Sequence, residues 1–156
     1  MKFSFFTFSL LIVLSLSSKS FGQDHVLLQL KDNHKFVIAS EHGLEVYSYG
    51  LNRLGQAKGS GNTPVDLELK RGEHCFVLTQ STLDYYYVNV NGETAFKATV
   101  PLEKENPTDM EFLNKGKDGL ILVIYQNAMQ NFNIRWHSHS VEIMPDRTVS
   151  SLGTIP

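Results

Sequence analysis

In "RWHSHS", His137 and His139 stand two residues apart, a spacing that on a strand turns both imidazoles to one side, where they could share a metal ion. A third ligand would have to come from His42, His74, Asp146 or elsewhere, and no spacing rule selects one. The pair also follows Trp136 where a hairpin turn is expected, so these histidines read as solvated turn residues and no metal is assigned. Cys75, the only cysteine, is next to His74, and a thiolate nucleophile needs a neighbouring base or cation. Neighbours on a strand face opposite sides, so a small, partly buried thiol is expected instead. The run Tyr85-Tyr86-Tyr87 could stack on sugars or other planar ligands. Alternation puts Tyr86 on one face and Tyr85 and Tyr87 on the other, and packing between sheets is the expected use of both. The carboxylates Asp66, Glu68, Asp109 and Glu111 recur at matching places, and repetition argues for architecture over catalysis. The chain has no Gly-x-Ser-x-Gly elbow, phosphate-binding loop, dinucleotide fingerprint, His-Glu-x-x-His or calcium loop. No catalytic residue, metal ligand or cofactor is therefore assigned, and the ligand-binding residues are left unidentified.

The elements that must position these residues are strands. Short apolar and β-branched runs such as "FVIAS", "LEVYSYG", "FVLTQ", "DYYYVNVNG" and "LILVIY" recur between turn signals, with no long helical period. Aligning "FVIAS" from Phe36, "FVLTQ" from Phe76 and "LVIYQ" from Leu122 gives a repeat of about 40 to 46 residues. In the strand that follows, Tyr47, Tyr49 and Leu51 match Tyr86, Val88 and Val90, then Phe132, Ile134 and Trp136. Turns are expected at "NRLG" (52–55) and "NGET" (91–94), with a third strand clearest as "TAFKATV". "PVDLEL" from Pro64 and "PTDMEF" from Pro107 share a Pro-x-Asp-apolar-Glu-apolar pattern, and "VLLQLKDN" resembles "VDLELKRG". Proline suits the entry to a strand, where its missing N–H does least harm. The expectation is an all-β chain of antiparallel four-stranded repeats.

At 156 residues the chain has room for one domain, since domains run ~100 to 150 residues. The first segment differs in kind: Met1 and Lys2, an apolar stretch over residues 3–16, then Ser20 and Gly22 as small residues before Gln23. This reads as a signal peptide over 1–22, cleaved near Gly22/Gln23, with 23–156 as the β-repeat domain. The chain is then secreted or periplasmic, with no stable membrane anchor. Loss of Lys2 and Lys19 makes the formal charge of −2 more acidic, and no Lys/Arg cluster offers a phosphate-binding surface, so nucleic acid is not an expected partner. A lone cysteine forms no internal disulfide even in an oxidising compartment, which leaves stability to core packing.

A four-stranded unit of this length, entered through Gly-x-x-Pro and followed by an apolar strand, a polar turn and another apolar strand, resembles the repeat of β-propellers, most closely the lactonase-like or YVTN type. The residues that carry the likeness are "GNTPVDLELKRGEHCFVL", "ENPTDMEFLNKGKDGLILVI" and the strands after them. The resemblance implies about three propeller-type blades and, generically, either an interaction surface or part of a propeller hydrolase; it carries over no catalytic residue. A ring needs four to eight blades. Either copies of the chain complete a ring as a homo-oligomer or the chain is part of a longer propeller, a reading favoured by Gly153-Thr154-Ile155-Pro156, which aligns with Gly61-Asn62-Thr63-Pro64. The alternative fold is the β-trefoil, complete at this length and compatible with a small lectin. The function expected is a non-catalytic protein- or ligand-interaction module, with a lactonase-like hydrolase as the alternative.

Overall fold

The alternating apolar runs form twelve strands. The computed structural model describes residues 26–151 apart from Asn33 and Gly116, so the signal peptide and the Gly153–Pro156 match lie outside the described residues. The first sheet holds β1 (Leu27–Leu30), β2 (Lys35–Ser40), β3 (Gly43–Ser48) and β4 (Arg53–Ala57). The second holds β5 (Pro64–Lys70), β6 (His74–Thr79), β7 (Thr82–Val88) and β8 (Thr94–Pro101). The third holds β9 (Asp109–Lys115), β10 (Asp118–Ile124), β11 (Ala128–Trp136) and β12 (Val141–Ser151). Each sheet is an antiparallel meander in chain order, and no strand of one pairs with a strand of another. The described residues therefore form three separate four-stranded units and not the closed barrel of the trefoil alternative. Pro64 opens β5 as expected of a strand entry, and Pro145 is tolerated because β12 is an edge strand, paired only with β11.

The central hairpins fix the equivalence of the sheets. Glu41-His42 joins β2 to β3 and Gln80-Ser81 joins β6 to β7; in the third sheet the Tyr125 N–H donates to the Ala128 carbonyl (2.8 Å) around Gln126-Asn127. On this frame Val37, Phe76 and Leu122 are equivalent. The sequence alignment had set Phe36 against Phe76, and in a structure of period two that one-residue slip exchanges the faces of β2. The later strands align as expected, with Tyr47, Tyr86 and Phe132 equivalent. A second correction concerns the outer turn of the first sheet. It spans Tyr49–Asn52, closed by the Ser48 N–H on the Asn52 carbonyl (3.0 Å), with Leu51 at φ 64°. Arg53 to Gly55 already belong to β4, and Tyr49 and Leu51 extend beyond β3. Gly55 is needed there, because a Cβ would collide with the Gly92 carbonyl in the turn between β7 and β8.

The sheets stack face to face in one sense. Val37, Ala39, Leu44 and Val46 of the first sheet pack on Leu67, Cys75, Val77, Tyr86 and Val88 of the second. The opposite face of the second, Phe76, Leu78, Leu83 and Tyr85, packs on Met110, Ile121, Val123, Phe132 and Ile134 of the third. The first interface is mainly aliphatic, with Tyr86 its one buried aromatic; the second is aromatic-rich, and there Phe76 stacks on Tyr85 at 5.2 Å and meets Phe112 at 5.0 Å. The second sheet is thus buried on both sides, which explains why β6 is buried at every residue while strands of the outer sheets alternate.

Polar side chains pin each crossing between sheets. Asp84, buried on β7, accepts the Ser60 N–H of the incoming linker (2.9 Å) together with the hydroxyls of Thr82 (3.0 Å) and Thr99 (2.7 Å). Its counterpart in the third sheet, Gln130, accepts the Glu103 N–H (3.1 Å) and the Tyr125 hydroxyl (3.2 Å) through Oε1. Val149 opposes Gln130 where Thr99 opposes Asp84, and a valine offers nothing to Nε2, which is left without a partner. Along the first strands, Asp66 Oδ2 accepts the Met110 N–H of the next sheet (3.1 Å).

Candidate functional site

At the end of the second and third sheets where β5 turns into β6 and β11 into β12, two tight loops face each other. Lys70 pairs with His74, which leaves the three-residue loop Arg71-Gly72-Glu73, and its reversal is made by two left-handed residues, Arg71 (φ 52°) and Gly72 (φ 73°). Arginine adopts that region at a cost, and here the turn holds its guanidinium over the Trp136 ring, 4.3 Å from the centroid. Opposite, the His137 N–H donates to the Ser140 carbonyl (2.9 Å) and closes the turn after Trp136. Between the loops lies a cleft of ≈520 Å³ lined by Arg71, Glu73, His74, Trp136, His137 and Ser138.

The floor of the cleft is aromatic. The His74 ring meets Trp136 edge-on at 5.2 Å and Tyr87 at 5.7 Å, and its Nδ1 shares a 2.8 Å hydrogen bond with the Tyr85 hydroxyl. Burial holds the His74 pKa below the ordinary histidine value; the Glu73 charge opposes this and Arg71 and His139 reinforce it. His74 is accordingly a neutral imidazole at neutral pH. The rim is polar: the Tyr87 hydroxyl donates to Glu73 Oε2 (3.0 Å) and lies 3.2 Å from His139 Nδ1. The indole N–H of Trp136 has no hydrogen-bond partner. The arrangement offers stacking faces, one cation, one carboxylate and exchangeable imidazole protons, the equipment of a binding site for a planar or ring-shaped polar ligand.

His137 and His139 lie in the expected turn and diverge: His137 Nε2 is 3.9 Å from Glu142, while His139 turns to Tyr87. His42 is in the loop between β2 and β3, and Asp146 on β12 accepts the Thr148 N–H (3.0 Å). Among the described residues no three His, Cys, Asp or Glu side chains are grouped to hold a metal ion. Cys75 is fully buried against the first sheet, and burial pushes its thiol pKa far up, so it is no nucleophile. Tyr86 faces the first sheet and Tyr85 the third, as the alternation required; Tyr87 borders the cleft through Glu73 and His74. Of the repeated carboxylates, Glu68 pairs with Lys70 (3.0 Å) and Glu111 is exposed. Asp66 and Asp109 come together, and burial with the neighbouring Asp109 pushes Asp66 up to about 6. Sequence reasoning missed Arg71 and Glu73; the signal was the Arg-Gly reversal one residue before His74.

No protein-family model matches the chain, and a search of curated proteins finds no similar sequence.

Proposed function

We propose that this chain is an exported, non-catalytic interaction module built of β-propeller-type blades, and that it binds its ligand in the cleft between Arg71 and Trp136. The observation that carries the reading is the Arg71-Trp136-His74 arrangement: a strained turn is spent on holding a cation against an aromatic floor at the open end of two packed sheets. The blade assignment is supported by three four-stranded meanders packed face to face in chain order, each joined to the next by a short linker. Export is supported by the apolar leader before Gln23. Trp136 is the sole tryptophan, so its emission reports the cleft directly. Titration with a panel of mono- and oligosaccharides, aromatic acids and short peptides is expected to shift that emission for one class, with the response lost in Arg71→Ala. Hydrolysis of a lactone panel by the purified chain would favour the enzymatic alternative. Amino-terminal sequencing of the exported protein is expected to begin at Gln23.

A further inference from the structure

Arg71 enters the cleft as a cation that its own chain does not neutralise. Its guanidinium lies on the Trp136 ring, yet among the described residues it makes no ion pair and no hydrogen bond. The nearby carboxylates are engaged elsewhere: Glu73 Oε2 accepts the Tyr87 hydroxyl (3.0 Å) and Glu142 faces Arg135 (3.6 Å). The residue is fixed at both ends, its backbone by the left-handed Arg71-Gly72 turn and its head by the indole. A guanidinium held in this way loses little further freedom on binding, and its open N–H edge is a flat fork that matches the two oxygens of a carboxylate. Trp136 is the seat of that fork and not a second donor. Its indole nitrogen is sealed and unpartnered, lying where a Cβ on Gly119 would come within 3.3 Å of it.

The second donor is His74, a side chain 4% exposed that lines the cleft. Its Nδ1 meets the Tyr85 hydroxyl at 2.8 Å, the one hydrogen bond of that buried hydroxyl. Donor accounting selects the tautomer. A proton on Nδ1 would leave the phenolic proton buried without an acceptor, so the phenol donates to Nδ1 and the ring proton sits on Nε2. Nε2 has no protein partner and is not sealed from solvent, which opens its N–H to the cleft. Glu73 sets the charge, because its Oε1 is likewise unpartnered and unsealed. With His74 neutral, the permanent charges lining the cleft are one cation and one carboxylate. One cation suits a monoanion, whereas the second charge of a phosphate dianion would face Glu73 uncompensated. Glu73 Oε1 also calls for a donor on the ligand. An ammonium next to a carboxylate would be brought against Arg71, so that donor is an uncharged O–H or N–H.

We infer that the cleft takes a small monocarboxylate carrying an uncharged hydrogen-bond donor, its carboxylate received by Arg71 and the His74 Nε2–H and its donor by Glu73 Oε1. The inference deepens the assignment of the cleft as the binding site and rests on it. A sugar acid supplies this chemistry through hydroxyls, and an acylated amino acid supplies it through an amide N–H.

The test is titration of the exported chain by Trp136 emission and by calorimetry with D-glucuronate and with N-acetylglycine, which separate the two sources. The controls are glucuronate methyl ester, glycine and glucose 6-phosphate. At least one of the two carboxylates is expected to bind, and all three controls more weakly. Arg71→Lys keeps the charge and loses the fork, and is expected to weaken binding about tenfold, the loss typical of a hydrogen bond to a charged group. Glu73→Gln is expected to narrow the gap between carboxylate and phosphate. Arg71 is exposed, so its variant should keep the sheet spectrum of wild type. Failure of both carboxylates to bind, equal binding of the methyl ester, or wild-type affinity in Arg71→Lys overturns the inference. A neutral saccharide that shifts the emission, with the shift lost in Arg71→Ala, refutes the carboxylate and leaves the cleft standing as the binding site; no shift with any ligand class refutes both.

Discussion

Truncating Asp84 to alanine separates a structure held by apolar stacking alone from one that also depends on pinned linkers. The carboxylate is 2% exposed and satisfies three donors: the Ser60 N–H and the hydroxyls of Thr82 and Thr99. The losses are unequal. The Thr82 hydroxyl retains Thr79 (2.8 Å) and Ser60 Oγ (3.1 Å) as partners, so its net cost is small. The Thr99 hydroxyl, on an exposed residue, can turn to water; the half-buried Ser60 N–H has no such substitute, and leaving a donor unpaired costs about 1–3 kcal/mol. Asp84→Ala is therefore expected to lower unfolding stability by about 2 kcal/mol in urea titration. Asp84→Asn, which keeps one acceptor oxygen, should lose about half as much. Hydrogen exchange localises the effect: the Ser60 amide should lose protection in Asp84→Ala beyond the global change, while amides of β10 and β11 follow the global change only. A variant within about 0.5 kcal/mol of wild type, with Ser60 still protected, would refute the pinning role.

Phe76 is fully buried between the second and third sheets, in contact with Tyr85, Phe112 and Trp136, and Phe76→Ala should cost about 3–5 kcal/mol by calorimetry, the range for aromatic truncation in a packed core. Cys75 should resist a thiol reagent in the native protein and react at the rate of unfolding once denaturant is added, because its thiol is buried and its pKa raised. Asp66 titrates at about 6 in the folded protein against 3.8 unfolded, so the native state binds more protons between those values and this contribution to stability falls as pH rises from about 4 to about 6. The shift of roughly two units corresponds to about 3 kcal/mol, reduced to about 1 kcal/mol by solvent screening at this part-exposed group; Asp109→Asn should flatten the trend in pH-dependent urea midpoints. His74 acts in the opposite direction: its lowered pKa removes stability as pH falls below about 6.5, the unfolded value, and His74→Gln should abolish that component.

Strand number, sheet size and the all-β class were legible because period-two alternation and turn residues act locally. The Pro-x-Asp pattern marked the true first strands of the second and third sheets. The misaligned copy was the first, where "KFVIAS" has apolar residues at consecutive positions and so permits two registers; only the Glu41-His42 hairpin, fixed by pairing of Ser40 with Gly43, decides between them. The candidate site was half visible. His74, Tyr87 and the two turn histidines could be named from their types, but the cleft depends on two loops more than sixty residues apart in the sequence, meeting through the face-to-face packing of Phe76 on the third sheet. The linker pins were invisible for a related reason: Asp84 and Gln130 look dissimilar until the hairpins superpose them.

The central claim is that the cleft between Arg71 and Trp136 is the binding site of the chain, and the emission of Trp136 tests it most directly. Titration with saccharides, aromatic acids and short peptides should shift that emission for one class, and the shift should be lost in Arg71→Ala with its sheet spectrum unchanged. An emission that no ligand class shifts, or a shift that Arg71→Ala leaves intact, contradicts it.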